Sequence, residues 1–274
     1  MKSNNKPNIL LTNDDGIRSP GLWAAAQALS RLGFVTVAAP KEQASGTGRS
    51  LPSTSDGVIT EETISVNSQD WKVYSIGGTP AQSVQHGILE ILGTTPDLVV
   101  SGINYGENVA TGITISGTVG AAMESASLGI PSLAVSLATD PAHHLSYSLD
   151  VDFSIAAHFT AKFASILLNH QLPIGIDLIK VDVPATATQT TEWEWTRLSR
   201  QRYYIPTKPE RTNWSEPKRI GYQLAMDLSI EAEDTDVYTL LAKQKVSVTP
   251  LTLDMTARVD LGLLSRFEDS TFGL

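Results

Sequence analysis

Cysteine does not occur in this chain of 274 residues. Without a thiol there is no disulfide framework, no thiolate nucleophile and no cysteine-ligated zinc or iron–sulfur site. Basic residues are scarce as well: 20 Lys and Arg stand against 29 Asp and Glu, which gives a formal net charge of −9 and a pI near 5.0. Broad binding to nucleic acids or to anionic membranes needs clustered cations, so this balance argues against both partners.

Apolar runs long enough for a targeting or membrane segment are missing too. The residues from Met1 to Pro7 are polar and lead into only a short apolar stretch, Ile9 to Leu11. A secretory signal needs a longer apolar core, and a membrane-spanning helix needs about 20 apolar residues. We therefore expect a cytoplasmic protein with no membrane partner and no nucleic-acid partner.

The main motifs of several enzyme classes are also absent. No G-x-G-x-x-G opens the first predicted helix, and the segment from Gly46 to Ser50 lacks the lysine and the spacing of a Walker A loop. Neither a G-x-S-x-G elbow nor an H-E-x-x-H pattern occurs. The pair His143-His144 follows Pro141 in a predicted loop, where we expect a solvated pair rather than metal ligands.

Strand-like and helix-like segments alternate over about the first 180 residues. Short apolar runs such as Asn8 to Thr12 and Asp97 to Ser101 are typical of buried strands. Gly21 to Leu32 and Val151 to Leu168 instead carry apolar residues at helical spacing. This alternation predicts an α/β fold, a doubly wound and mostly parallel sheet with helices on both faces.

The last third of the sequence has a different character. From about Ala185 to Thr252 it is polar, aromatic and strand-like, which predicts β-hairpins that project from the core, and Leu253 to Phe267 is predicted to form a closing helix. We therefore divide the chain into an α/β core of residues 1–185 and a hairpin-rich C-terminal region of residues 186–274. The aromatic cluster from Trp193 to Tyr204 fits either packing beneath a hairpin or an oligomer interface.

Polar segments follow three of the predicted strands, at the edge of a doubly wound sheet where ligands bind. Asp14 and Asp15 directly follow the first strand, and Ser45 lies in the loop after the second. Adjacent carboxylates at the end of a buried strand repel each other unless a cation is near, and hard oxygen ligands suit Mg²⁺, Mn²⁺ or Ca²⁺. A turn with an Asx cap, in which Gly16 adopts a positive φ, is an equal alternative.

The third polar segment holds further candidates. Asn104 and Asn108 either form turns or contribute an amide oxygen to a hard cation. The residues from Ser116 to Thr118 open a helix of small residues, as an ordinary N-cap or as an anion site built from amides and two hydroxyls. Neither Lys nor Arg occurs between Lys72 and Lys162. Amides and a metal would therefore supply most of the positive potential for a phosphate.

The ordered set of these motifs resembles the SurE family over almost the whole chain. The segments that carry the resemblance are, in order, Asn13-Asp14-Asp15-Gly16, Ser45-Gly46, Gly78-Thr79-Pro80-Ala81, Ser101-Gly102-Ile103-Asn104, Ser116 to Glu124, Gly129-Ile130-Pro131 and Thr249-Pro250-Leu251. The chain departs from the family at Gln82-Ser83, where Asp-Cys is usual, and in the loop from Ala110 to Ile115, which lacks the usual acidic and aromatic residues.

The resemblance implies an activity, a metal site and a fold. SurE proteins are metal-dependent phosphatases of nucleoside 5′- and 3′-monophosphates, with a Rossmann-like α/β core and a hairpin-bearing C-terminal part used in homodimers or homotetramers. By resemblance, one divalent cation per subunit (Mg²⁺ or Mn²⁺, with Ca²⁺ possible in a crystal) is held by Asp14, Asp15, Ser45 and Asn104. The residues expected to hold the phosphate are Asn108, Ser116, Gly117 and Thr118.

Two hypotheses for the function follow. In the first, the protein is a phosphomonoesterase with a nucleoside monophosphate substrate. The cation neutralises phosphate charge and activates a water, and Asp14 or Asp15 orients that water. In the second, the chain is a non-catalytic nucleotide- or metal-binding module that has kept the fold. The altered residues at Gln82-Ser83 and between Ala110 and Ile115 favour this alternative.

Overall fold

The computed structural model describes residues 6–144 and 147–267. Its strands are β1 (Asn8–Thr12), β2 (Phe34–Pro40), β3 (Ile59–Val66), β4 (Gln69–Ile76), β5 (Leu98–Tyr105), β6 (Ser132–Leu137), β7 (Leu178–Val183), β8 (Trp193–Trp195), β9 (Tyr204–Thr207), β10 (Gly221–Leu224) and β11 (Val246–Leu251). The α-helices are α1 (Pro20–Leu29), α2 (Pro80–His86), α3 (Gly117–Ser127), α4 (Ser154–Asn169) and α5 (Asp236–Leu241). A π-helical turn (Gly87–Leu92) continues α2, and 3₁₀ helices form at Ala110–Ile115, Pro141–His143 and Leu261–Phe267.

Nine strands form one sheet in the order β3-β4-β2-β1-β5-β6-β7-β11-β8. The six strands from β4 to β7 in this order run parallel, β3 pairs antiparallel with β4, and β11 pairs antiparallel with β7. The chain moves from β1 towards β2 and later returns to place β5 on the other side of β1. The β1–β5 boundary is therefore the topological switch point, where ligands bind in such sheets. This architecture confirms the predicted α/β fold class.

Residues on opposite faces of β1 contact different helices. Ile9 and Leu11 belong to a core shared with α1 and α4, whereas Leu10 packs in a second core with α2 and α3. Successive side chains of a strand point to opposite faces, so a run that is apolar at every position fits a sheet covered on both sides. The helices thus lie on both faces, as the sequence predicts.

The C-terminal region differs in part from expectation. The predicted projecting hairpin forms from β9 and β10, which make up a separate two-stranded antiparallel sheet. In contrast, β8 and β11 join the main sheet next to β7, because Val246, Val248 and Leu251 are buried against the core rather than exposed on a projection. Within the segment predicted as a closing helix, residues 253–260 are irregular, and the 3₁₀ helix begins only at Leu261.

Thr79 is the N-cap of helix α2. The Thr79 hydroxyl accepts a hydrogen bond from the backbone of Gln82 (3.2 Å), and the Gln82 side chain accepts one from the Thr79 backbone (3.0 Å). Such a reciprocal capping box satisfies two backbone donors that the first helical turn leaves unpaired. The departure at position 82 therefore has a structural role in capping.

No helix in the described part of the chain has both the length and the apolar character needed to cross a membrane.

Candidate active site

The turn that follows β1 places the two aspartates. The Asn13 side chain accepts a hydrogen bond from the Gly16 N–H (3.2 Å) and donates one to the Gly16 carbonyl (3.1 Å). Gly16 has a φ of 97°, a conformation that glycine adopts without steric cost. The turn expected as an alternative is thus present, but Asn13 closes it, and the carboxylates of Asp14 and Asp15 are left for other contacts.

Asp14 lies against the N-terminus of α3. Its Oδ1 accepts a hydrogen bond from the Thr118 hydroxyl, and the backbone amides of Gly117 and Thr118 lie close enough to stabilise the ionised carboxylate. A Cβ added at Gly117 would lie 2.7 Å from Asp14 Cβ and 2.9 Å from Oδ2, so only glycine permits this approach. The helix therefore presents its positive end to an acidic side chain.

Asp15 is held from two other directions. Its Oδ1 accepts a hydrogen bond from the Gln43 side chain (3.0 Å), and its Oδ2 accepts one from the Tyr105 N–H (3.2 Å). Gln43 lies in the loop after β2, and Tyr105 ends β5. Three segments that are distant in sequence thus converge on the acidic pair, at the switch point of the sheet.

The burial of two adjacent carboxylates favours the binding of a cation beside them. Asp14 is 4% exposed and Asp15 1% exposed, and within residues 6–144 and 147–267 neither forms a salt bridge. Burial raises the pKa of Asp14, although its hydrogen bonds from Thr118 oppose the rise. Burial raises the pKa of Asp15 well above its usual value, and the neighbouring Asp14 carboxylate raises it further. Two buried carboxylates without a counter-charge are costly unless an external cation compensates them.

The other two expected metal ligands lie on segments that contact the pair. Ser45 is exposed and follows Ala44, whose N–H donates to the Asp14 carbonyl (2.7 Å). Asn104 directly precedes Tyr105, the residue that donates to the Asp15 carboxylate. The sequence predicted a strand that ends at Ser101. Instead β5 continues to Tyr105 through a register shift against β6 between Ser101 and Asn104, an irregularity that re-aims side chains.

The donor set fits a hard divalent cation. The Asn104 amide nitrogen donates to the carbonyls of Tyr105 (3.1 Å) and Gly106 (2.6 Å), and no described residue donates to its oxygen. Among the described residues, no group of three or more His, Cys, Asp or Glu is arranged to hold a metal ion, so a cation at this site depends on two carboxylates and neutral oxygens. Carboxylate, amide and hydroxyl oxygens are ligands typical of Mg²⁺, Mn²⁺ and Ca²⁺.

The residues expected to bind phosphate are each held by the protein. Ser116 caps α3 by accepting a hydrogen bond from the Val119 N–H (3.1 Å), which is the ordinary capping alternative. Thr118 is fully buried and its hydroxyl is directed to Asp14. Asn108 donates through its backbone to Asp182 (2.8 Å) and through its side chain to Ser136 (2.7 Å). A phosphate role for these residues and for Gly117 stays a prediction.

Sequence reasoning missed Gln43 and misjudged His144. The Gln43 amide donates to both the Asp15 carboxylate and the His144 carbonyl (2.9 Å), which ties the 3₁₀ turn after β6 to the acidic pair. The expectation that His144 is solvated is wrong. The residue is 8% exposed, its Nδ1 lies 2.8 Å from the Tyr222 hydroxyl, and a Cβ built at Gly106 would lie 2.4 Å from its Nε2. Only the tertiary fold brings these residues together, and no local pattern marks them.

The aromatic cluster of the C-terminal region mostly packs within the chain. The Trp193 ring meets Phe163 edge to face at 5.4 Å, and the Tyr203 hydroxyl donates to Glu107 (2.6 Å). The Tyr204 hydroxyl donates to the Glu107 carbonyl (2.7 Å). These contacts agree with the packing alternative for the cluster, while Trp195 remains 56% exposed.

Over most of its length the chain is similar to proteins of one family. The family described as "Survival protein SurE" matches residues 9–205. The chain is 45% identical over 254 residues to "5′-nucleotidase SurE" of Thermococcus gammatolerans, an alignment that covers 92% of each chain. It is 40% identical over 260 residues to the protein of the same name from Methanothrix thermoacetophila, covering 93% of this chain and 96% of that protein.

A solved structure shows the same fold. The crystal structure of the SurE protein from Aquifex aeolicus superposes with a TM-score of 0.74 at 32% identity, covering 96% of this chain and 100% of that one. The likeness therefore extends through the C-terminal strands as well as through the parallel core.

Divalent cations are expected to stabilise the folded protein through the acidic pair. Adding Mn²⁺ or Mg²⁺ to chelator-treated protein should raise its melting temperature, because ligands that bind only the native state stabilise it. The Asp14→Asn and Asp15→Asn variants should lose most of this shift, whereas Asp70→Asn, at an exposed position of β4, should keep it. An equal shift in all four proteins, measured by differential scanning fluorimetry, would contradict the assignment.

Ionisation of Asp15 is expected to destabilise the metal-free protein as the pH rises. A carboxyl group whose pKa is higher in the folded than in the unfolded chain weakens folding when it ionises. The contribution of Asp15 to the free energy of unfolding should therefore fall as the pH increases from the ordinary value of 3.8 through the raised pKa of this group. In urea titrations with chelator, Asp15→Asn should be more stable than the wild type at pH 7, and this gain should shrink towards pH 4. A gain that does not change with pH would refute the electrostatic cause.

Proposed function

Because this chain belongs to the SurE family, we propose that it is a nucleotidase that hydrolyses nucleoside 5′- and 3′-monophosphates with the help of one divalent cation per subunit. One observation carries the proposal: Asp14 and Asp15 are buried side by side without a salt-bridge partner among the described residues, at the switch point and against the N-terminus of α3. The names of the relatives support the nucleotidase class, and the chemistry of the donor set supports the metal.

In this proposal Asp14, Asp15, Ser45 and Asn104 hold the cation. When bound, Mg²⁺ or Mn²⁺ supplies positive charge to the phosphate oxygens and makes water more acidic. Thr118 fixes one aspartate, and Gln43 fixes the other, so neither has to reorganise during the reaction. We assign one of the two carboxylates to orient the attacking water.

The phosphate is proposed to bind beside α3. Amide groups at the start of a helix, together with the helix dipole, favour an anion there. In this proposal the phosphate shares the amides of the segment from Ser116 to Thr118 with the Asp14 carboxylate, which the Gly117 and Thr118 amides also contact. The Asn108 side chain has a second amide hydrogen beyond the one that it donates to Ser136. This arrangement needs no Lys or Arg in the phosphate site, in agreement with their absence from residues 73–161.

The non-catalytic alternative has lost one of its two supports. Gln82 caps α2 and donates to the Pro52 carbonyl (3.0 Å), and among the described residues it has no hydrogen bond to Asp14 or Asp15. The altered loop from Ala110 to Ile115 still favours a change in substrate preference or in turnover. An assay of the wild-type protein therefore has to decide between hydrolysis and binding alone.

Release of phosphate from adenosine 5′-monophosphate is expected to depend on the cation and on Asp14. Wild-type protein with Mn²⁺ should release phosphate, and chelator should abolish the reaction. Asp14→Asn should reduce the rate about a hundredfold or more, since even indirect partners of a metal site cost 10- to 100-fold. The control Asp70→Asn should stay near the wild-type rate, and adenosine 3′-monophosphate is expected to be hydrolysed in the same assay.

Two results would contradict this account. Full activity of Asp14→Asn would reject the assigned site. A wild-type protein that is stabilised by nucleotide and cation but releases no phosphate would establish the binding module instead.

We also propose that the protein is a homodimer or homotetramer, and its cytoplasmic location stays a prediction. Apolar side chains are exposed in and after the β9–β10 hairpin: Trp214 is 92%, Ile220 69% and Ile230 73% exposed. Contiguous exposed apolar patches mark association surfaces, and we propose that these side chains contribute to one. Light scattering should give the mass of two or four chains, and a strictly monomeric mass would reject the proposal.

A further inference from the structure

A lysine and two aspartates form a buried ionic cluster beneath the loop that carries Asn108. Lys180 and Asp182 lie two residues apart on β7, and Asp236 begins α5; all three are 0% exposed. The Lys180 ammonium donates to an oxygen of Asp182 and lies 3.3 Å from an oxygen of Asp236. We call these three residues the ionic triad.

The triad remains charged at its centre despite its burial. Burial lowers the pKa of Lys180, but the two adjacent carboxylates raise it more, so it lies above its usual value. Burial raises the pKa of Asp182 to about 6, even though Lys180 opposes the rise. A buried ionic group is often no more stabilising than well-packed apolar residues, so stability alone does not explain the triad.

Both carboxylates of the triad bind backbone groups of the same loop. Asp182 accepts a hydrogen bond from the Asn108 N–H (2.8 Å), and Asp236 accepts one from the Ala110 N–H (2.9 Å). The other oxygen of Asp236 accepts a hydrogen bond from the Ser199 N–H (2.8 Å). The Lys180 ammonium thus fixes the two carboxylates that accept hydrogen bonds from Asn108 and Ala110. Through Asp236, helix α5 and the segment after β8 are linked to the same cluster.

The loop adopts a conformation that has to be imposed on it. Ala110 has a φ of 54°, in the left-handed region that residues other than glycine rarely adopt, and its side chain is fully buried. Such a conformation persists when surrounding contacts determine it. Asp236 fixes the loop at Ala110 by accepting the hydrogen bond from its N–H. Tyr203 and Tyr204 fix the other end of the loop through their hydrogen bonds to Glu107.

We propose that the ionic triad positions the active site: Lys180, Asp182 and Asp236 clamp residues 107–111, so that Asn108 presents its side-chain amide to the phosphate. This inference rests on the proposed function for the role of Asn108. It also assigns the C-terminal region a part in the active site, since Asp236 lies beyond residues 9–205, the part that matches the family.

The test compares variants that keep or remove the acceptors. Asp182→Ala and Asp236→Ala remove them, whereas Asp236→Asn retains an oxygen that can accept the Ala110 N–H. Asp177→Ala is the matched control, because Asp177 precedes β7 at its opposite end and also holds a loop by accepting a backbone N–H, that of Leu253 (2.6 Å). All variants are made in the full chain and are checked for folding by circular dichroism.

Hydrogen exchange gives a readout that does not depend on activity. Amide exchange of the peptide containing residues 107–111 should accelerate at least about tenfold in Asp182→Ala and Asp236→Ala, because unfixed loops open at low free energy. Exchange should stay near the wild-type rate in Asp177→Ala, and Asp236→Asn should lie between the two. Unchanged exchange of this loop in folded Asp182→Ala and Asp236→Ala would overturn the clamp.

A double-mutant cycle tests whether the clamp acts through Asn108. Asp182→Ala should lower kcat/KM for adenosine 5′-monophosphate about ten- to a hundredfold, the effect of a modest displacement of a positioned group. In an Asn108→Ala background the same change should have little further effect, because coupled residues are not additive. Additive losses would mean that the triad is only structural, and they would overturn the proposal.

Failure of the proposed function gives a different pattern. A wild-type protein that neither hydrolyses the nucleotide nor binds inorganic phosphate by calorimetry would reject the nucleotidase, and with it the phosphate role of Asn108. Loop exchange in the same variants would still decide whether the triad clamps residues 107–111.

Discussion

The site depends on two neighbouring carboxylates that the fold buries without giving either a salt bridge among the described residues. Asp14 and Asp15 follow a strand that is apolar on both faces, so the chain brings them into the protein at the switch point. Most of their contacts come from neutral donors: a threonine hydroxyl, a glutamine amide and backbone amides. Such donors orient the carboxylates without cancelling their charge, which leaves that charge available for an external cation.

The surrounding structure holds three segments of the chain at this point. The loop after β2 contacts the pair through Gln43 and the backbone of Ala44, and the end of β5 contacts it through Tyr105. Helix α3 contributes Thr118 and is itself capped by Ser116. Further out, the C-terminal region holds the β5–α3 loop through the ionic triad, so the two parts of the chain are joined at the site.

The sequence predicted the features that depend on local patterns. Alternating apolar runs predicted the parallel sheet, and the position of the aspartates after β1 predicted where a ligand site would lie, because strand ends meet at one edge. The sequence did not predict that β8 and β11 extend the main sheet, because a polar, aromatic segment is equally typical of a projecting hairpin. The roles of Lys180 and Asp182 were also not predicted. Charged residues inside an apolar strand can be interpreted only when their ion-pair partner, here Asp236, is known. His144 was misjudged for the same reason: its burial is set by Gly106 and Tyr222, which are distant in sequence.

The central claim is that the acidic pair and Asn104 surround one hard cation. A crystal structure of the protein soaked in Mn²⁺, with anomalous diffraction data, tests it most directly. The account predicts a single strong anomalous peak per subunit within coordination distance of Asp14, Asp15 and the Asn104 side-chain oxygen. Well-ordered electron density for these three residues with no anomalous peak between them would contradict the proposed metal site. A Mn²⁺ peak only elsewhere in the chain would contradict it as well.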